Sequence, residues 1–137
     1  MIGIVLASHG RLSLELLRTA EIIVGKFENT VTVEMDPKMG MEEFHKAMEG
    51  AIRTVDSGNG VLLLIDMFGG TPSNIGLSFL GTHNVEIVTG VNLPMMIKLP
   101  MARTTMPLPE LAEYIRDYGK RNIATPGEML RKKAEKK

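Results

Sequence analysis

Four short apolar segments alternate along this chain with segments whose apolar residues recur at helical spacing. The apolar segments cover residues 2–6, 30–35, 61–65 and 85–89. The first and third of them carry no polar side chain, which is typical of strands buried on both faces. The stripes of the first two helices are formed by residues 16, 17, 20, 23, 24 and 27 and by residues 41, 44, 48, 51, 52 and 55. This alternation predicts a parallel sheet with helices on both faces.

The expected fold class is therefore α/β, with a small doubly wound, flavodoxin-like and mainly parallel sheet. The length of 137 residues is that of one ordinary domain. We predict one domain over residues 1–125 and a charged C-terminal tail over residues 126–137. In folds of this kind the functional site lies beyond the carboxyl ends of the strands, where the strand order reverses.

Several residues are predicted to begin or end helices. Ser13 is expected to be the N-cap of the first helix, Thr71 that of the third and Asn92 that of a short fourth helix. A further helix is predicted to run from Pro109 to about Gly119. Residues 122–125 are predicted to form a short edge strand.

Composition excludes several classes of protein. Cysteine is absent, which rules out a disulfide framework, a thiolate metal site and a cysteine nucleophile. Of the 16 basic and 16 acidic residues, five and two lie in the last ten, which leaves 11 basic and 14 acidic residues in 1–127. This mildly acidic body argues against a nucleic-acid surface. No apolar stretch is long enough to span a membrane and no signal peptide is seen, so a cytoplasmic location is expected.

Two polar side chains follow the first and third predicted strands. His9 comes after the first strand and Asp66 directly after the third. If these strands are neighbours, His9 and Asp66 lie side by side at one edge of the sheet. The carboxylate then accepts a hydrogen bond from one ring nitrogen and leaves the other free as a nucleophile. Either residue alone is more often structural, but together they predict a functional pair.

The surroundings of this pair suit a phosphoryl group. Two predicted helices begin close by, and helix N-termini offer free N–H groups to anions. Gly10, Gly69 and Gly70 leave room for a phosphate, and the Thr71 hydroxyl offers a further hydrogen bond. The sequence therefore predicts His9 and Asp66 as catalytic residues and these four as phosphate-binding residues.

Neither a metal nor a cofactor is expected. His45 and His83 lie in other segments without metal-ligand spacing, and are interpreted as structural or solvated. Nucleotide-binding glycine motifs are absent, which disfavours ATP and dinucleotides. The 11 methionines are interpreted mainly as core residues, although those near the site loops, such as Met67 and Met101, would also suit an adaptable contact surface.

Three segments together resemble a known family. Residues 3–10, 66–72 and 90–95 are similar, in order and spacing, to signatures of the IIA components of mannose-type sugar phosphotransferase systems (PTS). The resemblance covers residues 1 to about 120. Residues 123–137 are less similar to the family.

The resemblance implies a function and a set of partners. His9 would be phosphorylated, with Asp66 as its hydrogen-bond partner and Thr71 in the phosphate pocket. The protein would be a phosphotransferase, a phosphohistidine carrier that accepts phosphate from phospho-HPr and passes it to a IIB protein. This IIB protein is expected to be a separate chain, and membrane IIC and IID components would complete the transporter. A homodimer with an exchanged C-terminal strand is also implied.

Other functions stay open at this point. A regulatory module that reports sugar status through His9 phosphorylation, without an attached transporter, would have the same chemistry. A phosphotransfer subunit of dihydroxyacetone-kinase type also has an early histidine on a similar fold, but lacks the pattern of residues 68–72. A plain flavodoxin-like ligand binder is disfavoured because the chain has no tryptophan to stack a flavin.

Overall fold

The computed structural model, which describes residues 1–136, contains one sheet of four parallel strands. Their order is β2-β1-β3-β4, so that β1 and β3 are neighbours at the centre. In the register of the sheet, His9 pairs with Met35, and Ala7 with Ile65. The strands are β1 (Gly3–His9), β2 (Thr30–Met35), β3 (Val61–Ile65) and β4 (Val85–Thr89).

Six helices within residues 1–136 accompany this sheet. They are α1 (Leu12–Val24), α2 (Met41–Val55), α3 (Gly70–Leu77), α4 (Leu93–Ala102), α5 (Leu108–Arg121) and α6 (Pro126–Glu135). Among residues 1–136, no helix is both long and apolar enough to cross a bilayer.

The core consists of two apolar layers, one on each face of the sheet. Alternate residues of each strand point to opposite faces. Leu62 and Leu64 of β3 therefore pack with α1, α4 and α5, whereas Leu63 and Ile65 pack with α2 and α3. All five residues of β3 are fully buried. The predicted α/β fold with helices on both faces is confirmed.

The predicted helix starts need correction. α1 begins at Leu12 with Arg11 at the cap position, so Ser13 lies inside the first turn and is not the N-cap. α3 begins at Gly70 with Gly69 at the cap position, so Thr71 is not its N-cap either. Asn92 is confirmed as the cap of α4, because its Oδ1 accepts a hydrogen bond from the Met95 amide at 3.1 Å.

The C-terminal segment also differs from the prediction. Residues 122–125 form no strand: Asn122 and Ile123 donate helical hydrogen bonds to the carbonyls of Tyr118 and Lys120, at 3.2 and 3.3 Å. α5 continues to Arg121, two residues beyond the predicted end at Gly119. The charged tail from residue 126 then forms α6, in which no residue is buried.

Arg103 links backbone carbonyl groups at the amino-terminal edge of the sheet, opposite the carboxyl edge. Its guanidinium donates to the carbonyl oxygens of Ile2, Glu28 and Asn29, and its side chain is almost fully buried. Burial lowers the pKa of Arg103, an effect that the Glu28 carboxylate opposes. A cavity of about 660 Å³ lies beside it at this edge. Both features are thus at the far end of the strands from His9.

Candidate functional site

His9 and Asp66 form a hydrogen-bonded pair at the carboxyl edge of the sheet. His9 is the last residue of β1, which extends three residues beyond the predicted apolar segment, and Asp66 directly follows β3. The distance between His9 Nδ1 and Asp66 Oδ2 is 2.8 Å. The structure therefore brings together the two residues that the sequence proposes as catalytic.

Two backbone amides fix the carboxylate of Asp66. The His9 N–H donates to Oδ2 at 3.0 Å, and the Met67 N–H donates to Oδ1 at 3.0 Å. The Asp66 side chain is only 9 % exposed, whereas that of His9 is 49 % exposed. A carboxylate held in this way has one orientation, and the imidazole beside it remains accessible.

This pairing determines which ring nitrogen of His9 can react. An ionised carboxylate only accepts hydrogen bonds, so the nitrogen 2.8 Å from it, Nδ1, carries the proton. The other nitrogen, Nε2, then has a free lone pair. The arrangement supports nucleophilic attack by Nε2, with the carboxylate stabilising positive charge on the ring.

Gly70 leaves open the space next to the free nitrogen. A Cβ atom placed on Gly70 would be 3.2 Å from His9 Nε2 and 3.1 Å from Cε1. Gly70 has a φ of +81°, a conformation that side chains rarely adopt. Gly70 is also the first residue of α3, and the N–H groups at a helix start can donate hydrogen bonds to phosphate oxygens.

The other predicted phosphate-binding residues differ in backbone conformation, exposure and hydrogen bonding. Gly69 has a φ of +89°, and a Cβ on it would meet nothing within 4 Å. Thr71 is the second residue of α3 and is partly exposed. Gly10 makes a turn after β1 with a φ of +56°, but its amide already donates to the Met35 carbonyl at 2.9 Å. Gly10 thus offers a turn and not a free N–H group.

Ser8 supports the His9 turn and was not singled out by sequence analysis. Its buried Oγ accepts a hydrogen bond from the Ser13 amide at 2.8 Å and donates to the Gly10 carbonyl at 3.2 Å. Ser8 thereby satisfies an amide in the first turn of α1, the role predicted for Ser13. The only sequence signal was a serine immediately before the candidate histidine.

The two other histidines lie in a separate cluster. The His45 ring stacks on Phe79 with 4.8 Å between centroids, and the His83 ring meets the edge of Phe79 at 5.2 Å. His83 Nε2 lies 3.5 Å from Glu49. Both rings therefore pack against Phe79. Across residues 1–136, no three histidine or acidic side chains are arranged to hold a metal ion.

The fold and the site together define a flavodoxin-like α/β protein with an accessible histidine held by an aspartate at the carboxyl edge of its sheet. The family model for the PTS system fructose IIA component (EIIA-man) matches residues 3–116. The chain therefore belongs to this PTS IIA family, whose members are phosphotransferase components.

Relatives of known sequence agree with this assignment. Over 107 residues, or 77 % of this chain, it is 33 % identical to the PTS system mannose-specific EIIAB component of Escherichia coli. That match covers 33 % of the relative, so the chain spans about a third of its length. The PTS system fructose-specific EIIA component of Bacillus subtilis is 26 % identical over 96 % of this chain and 91 % of its own length.

Solved structures are similar over nearly the whole chain. The PTS IIA protein associated with the fucose utilization operon of Streptococcus pneumoniae has a TM-score of 0.81 and 30 % identity, with 93 % of this chain and 95 % of that one covered. The mannose/sorbose-specific IIA subunit of Enterococcus faecalis also has a TM-score of 0.81, with 29 % identity and coverages of 90 % and 93 %.

Proposed function

We propose that this protein is a phosphohistidine carrier of the phosphoenolpyruvate-dependent sugar phosphotransferase system. It takes a phosphoryl group onto Nε2 of His9 and passes it on. The observation that carries this proposal is the 2.8 Å contact between His9 Nδ1 and Asp66, which leaves Nε2 as the reactive atom of a half-exposed ring.

In the transfer step, the lone pair of Nε2 forms a bond to phosphorus while the bond from phosphorus to the donor nitrogen breaks. The electron pair of the broken bond stays on the donor ring. The His9 ring gains positive charge, which the Asp66 carboxylate stabilises through the Nδ1–H group. The N–H groups at the start of α3 and the Thr71 hydroxyl donate hydrogen bonds to the phosphate oxygens. The reverse sequence passes the group to the next carrier.

The proposed partners are proteins and not small molecules. The donor is phospho-HPr, the acceptor is a IIB protein, and IIC and IID membrane components are indirect partners that complete the transporter, with this chain acting in the cytoplasm. An accessible ring at the sheet edge supports this choice, because a second protein must reach Nε2 closely. The cavity of about 660 Å³ lies at the opposite edge, beside Arg103.

A labelling experiment tests the proposal. Incubation of the protein with phosphoenolpyruvate, enzyme I and HPr is expected to attach one acid-labile, base-stable phosphate per chain. Heteronuclear ³¹P–¹⁵N correlation spectra should assign the phosphate to His9 Nε2. Addition of a purified IIB protein should then remove it at a rate that matches its appearance on IIB.

Three outcomes would contradict the proposal. They are a lack of labelling, a phosphate on His45 or His83, and a phosphate on His9 Nδ1. A chain that is labelled on His9 but passes nothing to any IIB protein of its own organism would instead favour the regulatory function.

We also propose that the chain forms a homodimer through the exposed end of α1. Ile22, Ile23 and Val24 are consecutive apolar residues there and are 84, 57 and 38 % exposed. Sequence periodicity placed the last two in the buried stripe of the helix. A run of this kind favours burial against another chain.

Sedimentation equilibrium tests the homodimer. The wild type is expected to have twice the 15.1 kDa mass of the chain at micromolar concentration, and the double variant Ile22→Glu/Ile23→Glu the mass of one chain. Charged groups at these positions lose most of their hydration if the surface is covered. A second variant that lacks residues 122–137 separates this interface from one made by α6. A wild type of 15.1 kDa would contradict the homodimer, and a dimer lost only in the truncated variant would contradict this interface.

A further inference from the structure

One phenylalanine of this chain is on the surface. Of the four phenylalanines, Phe27, Phe44 and Phe79 are 6, 0 and 1 % exposed, whereas Phe68 is 76 % exposed. Its neighbour Met67 is 52 % exposed. Aromatic residues and methionine are enriched where proteins contact one another. The packing of the core gives no reason for an apolar ring at this position.

The loop that carries Phe68 contributes a residue on each side of the His9 ring. Asp66, two residues before Phe68, contacts Nδ1 at 2.8 Å. Gly70, two residues after it, leaves open the space next to Nε2, which is 3.2 Å from the point that a Cβ on this glycine would occupy. Consecutive Cα atoms are about 3.8 Å apart, so the Cα of Phe68 lies within about 8 Å of the Cα atoms of both contact residues. The exposed Phe68 and Met67 therefore stand at the rim of the reactive ring.

We propose that Phe68, together with Met67, is the docking anchor for the protein that delivers the phosphoryl group to His9. This inference rests on the function proposed above. The partner it fits is a folded protein that carries its phosphoryl group on a side-chain nitrogen within an apolar surface.

The geometry of the transfer explains why a donor protein would contact Phe68. Donor and acceptor nitrogens must approach the phosphorus along one line, with reacting atoms about 3–3.5 Å apart. A protein surface that comes this close to Nε2 covers the residues within two positions of Asp66 and Gly70, and hence Phe68. A small phosphoryl donor reaches Nε2 without covering them. A protein donor therefore has to contact Phe68, whereas a small-molecule donor does not.

Two phosphoryl donors distinguish an effect on docking from an effect on the chemical step. One is the phosphorylated donor protein of the labelling experiment, and the other is phosphoramidate. With phosphoramidate, the P–N bond of the reagent breaks, a bond from phosphorus to His9 Nε2 forms, and nitrogen leaves as ammonia with a proton from the solution. Single-turnover rates are measured against the concentration of each donor.

For Phe68→Ala, the half-saturating concentration of the donor protein is expected to rise on the order of 10- to 100-fold, because a buried phenylalanine contributes about that factor to binding. The rate with phosphoramidate should be unchanged. Phe68→Leu, which keeps an apolar side chain, should give an intermediate value. Met101→Ala is the matched control, since Met101 is 75 % exposed near Arg103 at the other edge of the sheet, and it should behave as wild type.

Several results would overturn the inference. One is an unchanged half-saturating concentration in Phe68→Ala. Another is an equal loss with phosphoramidate, which would mean that Phe68 acts on the site itself. A loss of self-association without a change in the donor titration would assign Phe68 to a contact between two copies of this chain. A wild type that neither donor phosphorylates on His9 would refute the proposed function as well, so the two failures are distinguishable.

Discussion

Asp66→Asn is expected to slow transfer to His9 on the order of 10²- to 10⁴-fold, which is the range seen when a carboxylate that orients a catalytic histidine becomes an amide. The fold should remain intact, because the substituted side chain has nearly the same shape. The measurement is the single-turnover rate with purified phosphorylated donor protein.

The reason lies in the three hydrogen bonds that the carboxylate accepts. Oδ2 accepts from the His9 amide and from Nδ1, and Oδ1 accepts from the Met67 amide. With the amide oxygen of asparagine at the Oδ2 position, its NH₂ group faces the Met67 N–H. In the flipped orientation, the NH₂ group faces the His9 N–H and forces the proton from Nδ1 to Nε2. Each orientation places two donors together, and both lose the negative charge that stabilises the phosphorylated ring.

Asp36→Asn is the matched control for this prediction. Asp36 directly follows β2, the other neighbour of β1, and its carboxylate accepts a hydrogen bond from the Lys38 amide at 2.8 Å. The substitution removes the same charge at the same edge of the sheet without removing a partner of His9. The ¹⁵N shifts of the His9 ring report the tautomer directly. Equal transfer rates in the two variants would refute the pairing as the source of reactivity.

The strands were predictable because their short runs of apolar and β-branched residues, continuous over residues 2–6 and 61–65 and interrupted by polar residues in the other two, are typical of a sheet. β2, β3 and β4 have the predicted bounds. β1 continues through Ser8 and His9, because the end of a strand is set by its ladder, in which His9 pairs with Met35, and not by hydropathy. The pairing of His9 with Asp66 followed from the same parallel register, which aligns the carboxyl ends of β1 and β3.

The helix ends were less predictable, because their hydrogen-bond partners come from elsewhere in the chain. The Ser13 amide is satisfied by Ser8, which precedes the helix by several residues. Helical periodicity likewise could not show that Ile23 is exposed, because exposure depends on which other elements cover the helix. The predicted strand at 122–125 was wrong because its first amides continue the hydrogen bonding of α5.

Within the site, the closeness of Gly70 to His9 could not be predicted from the sequence. Glycine at this position indicated room for a phosphate, but not that this room lies beside the imidazole. The path of the loop depends on positive φ values at both Gly69 and Gly70, and a pair of glycines permits many other paths. The structure thus adds that the space left by Gly70 lies directly beside Nε2, where a Cβ atom would crowd the ring.

The open space beside Nε2 leads to the second large effect, which is expected for Gly70→Ala. The new methyl group would lie 3.1–3.2 Å from Cε1 and Nε2, so the ring or the loop must move. A displacement of about 1 Å in a reacting group can cost on the order of 10²-fold in rate. We therefore expect single-turnover transfer to fall by at least about that factor, both with the donor protein and with phosphoramidate, because the obstruction is at Nε2 itself.

Gly69→Ala separates this steric effect from backbone strain. Gly69 and Gly70 have similar positive φ values, +89° and +81°, so alanine at either position should destabilise the fold by a similar amount, about 1–2 kcal/mol. Only Gly70 has His9 within 4 Å of its Cβ position. Urea unfolding of both variants is expected to show similar midpoints, and Gly69→Ala should retain most of the phosphoramidate rate. If the two variants lost that rate equally, the loss would come from loop strain, and crowding of Nε2 by the new methyl group would not be its cause.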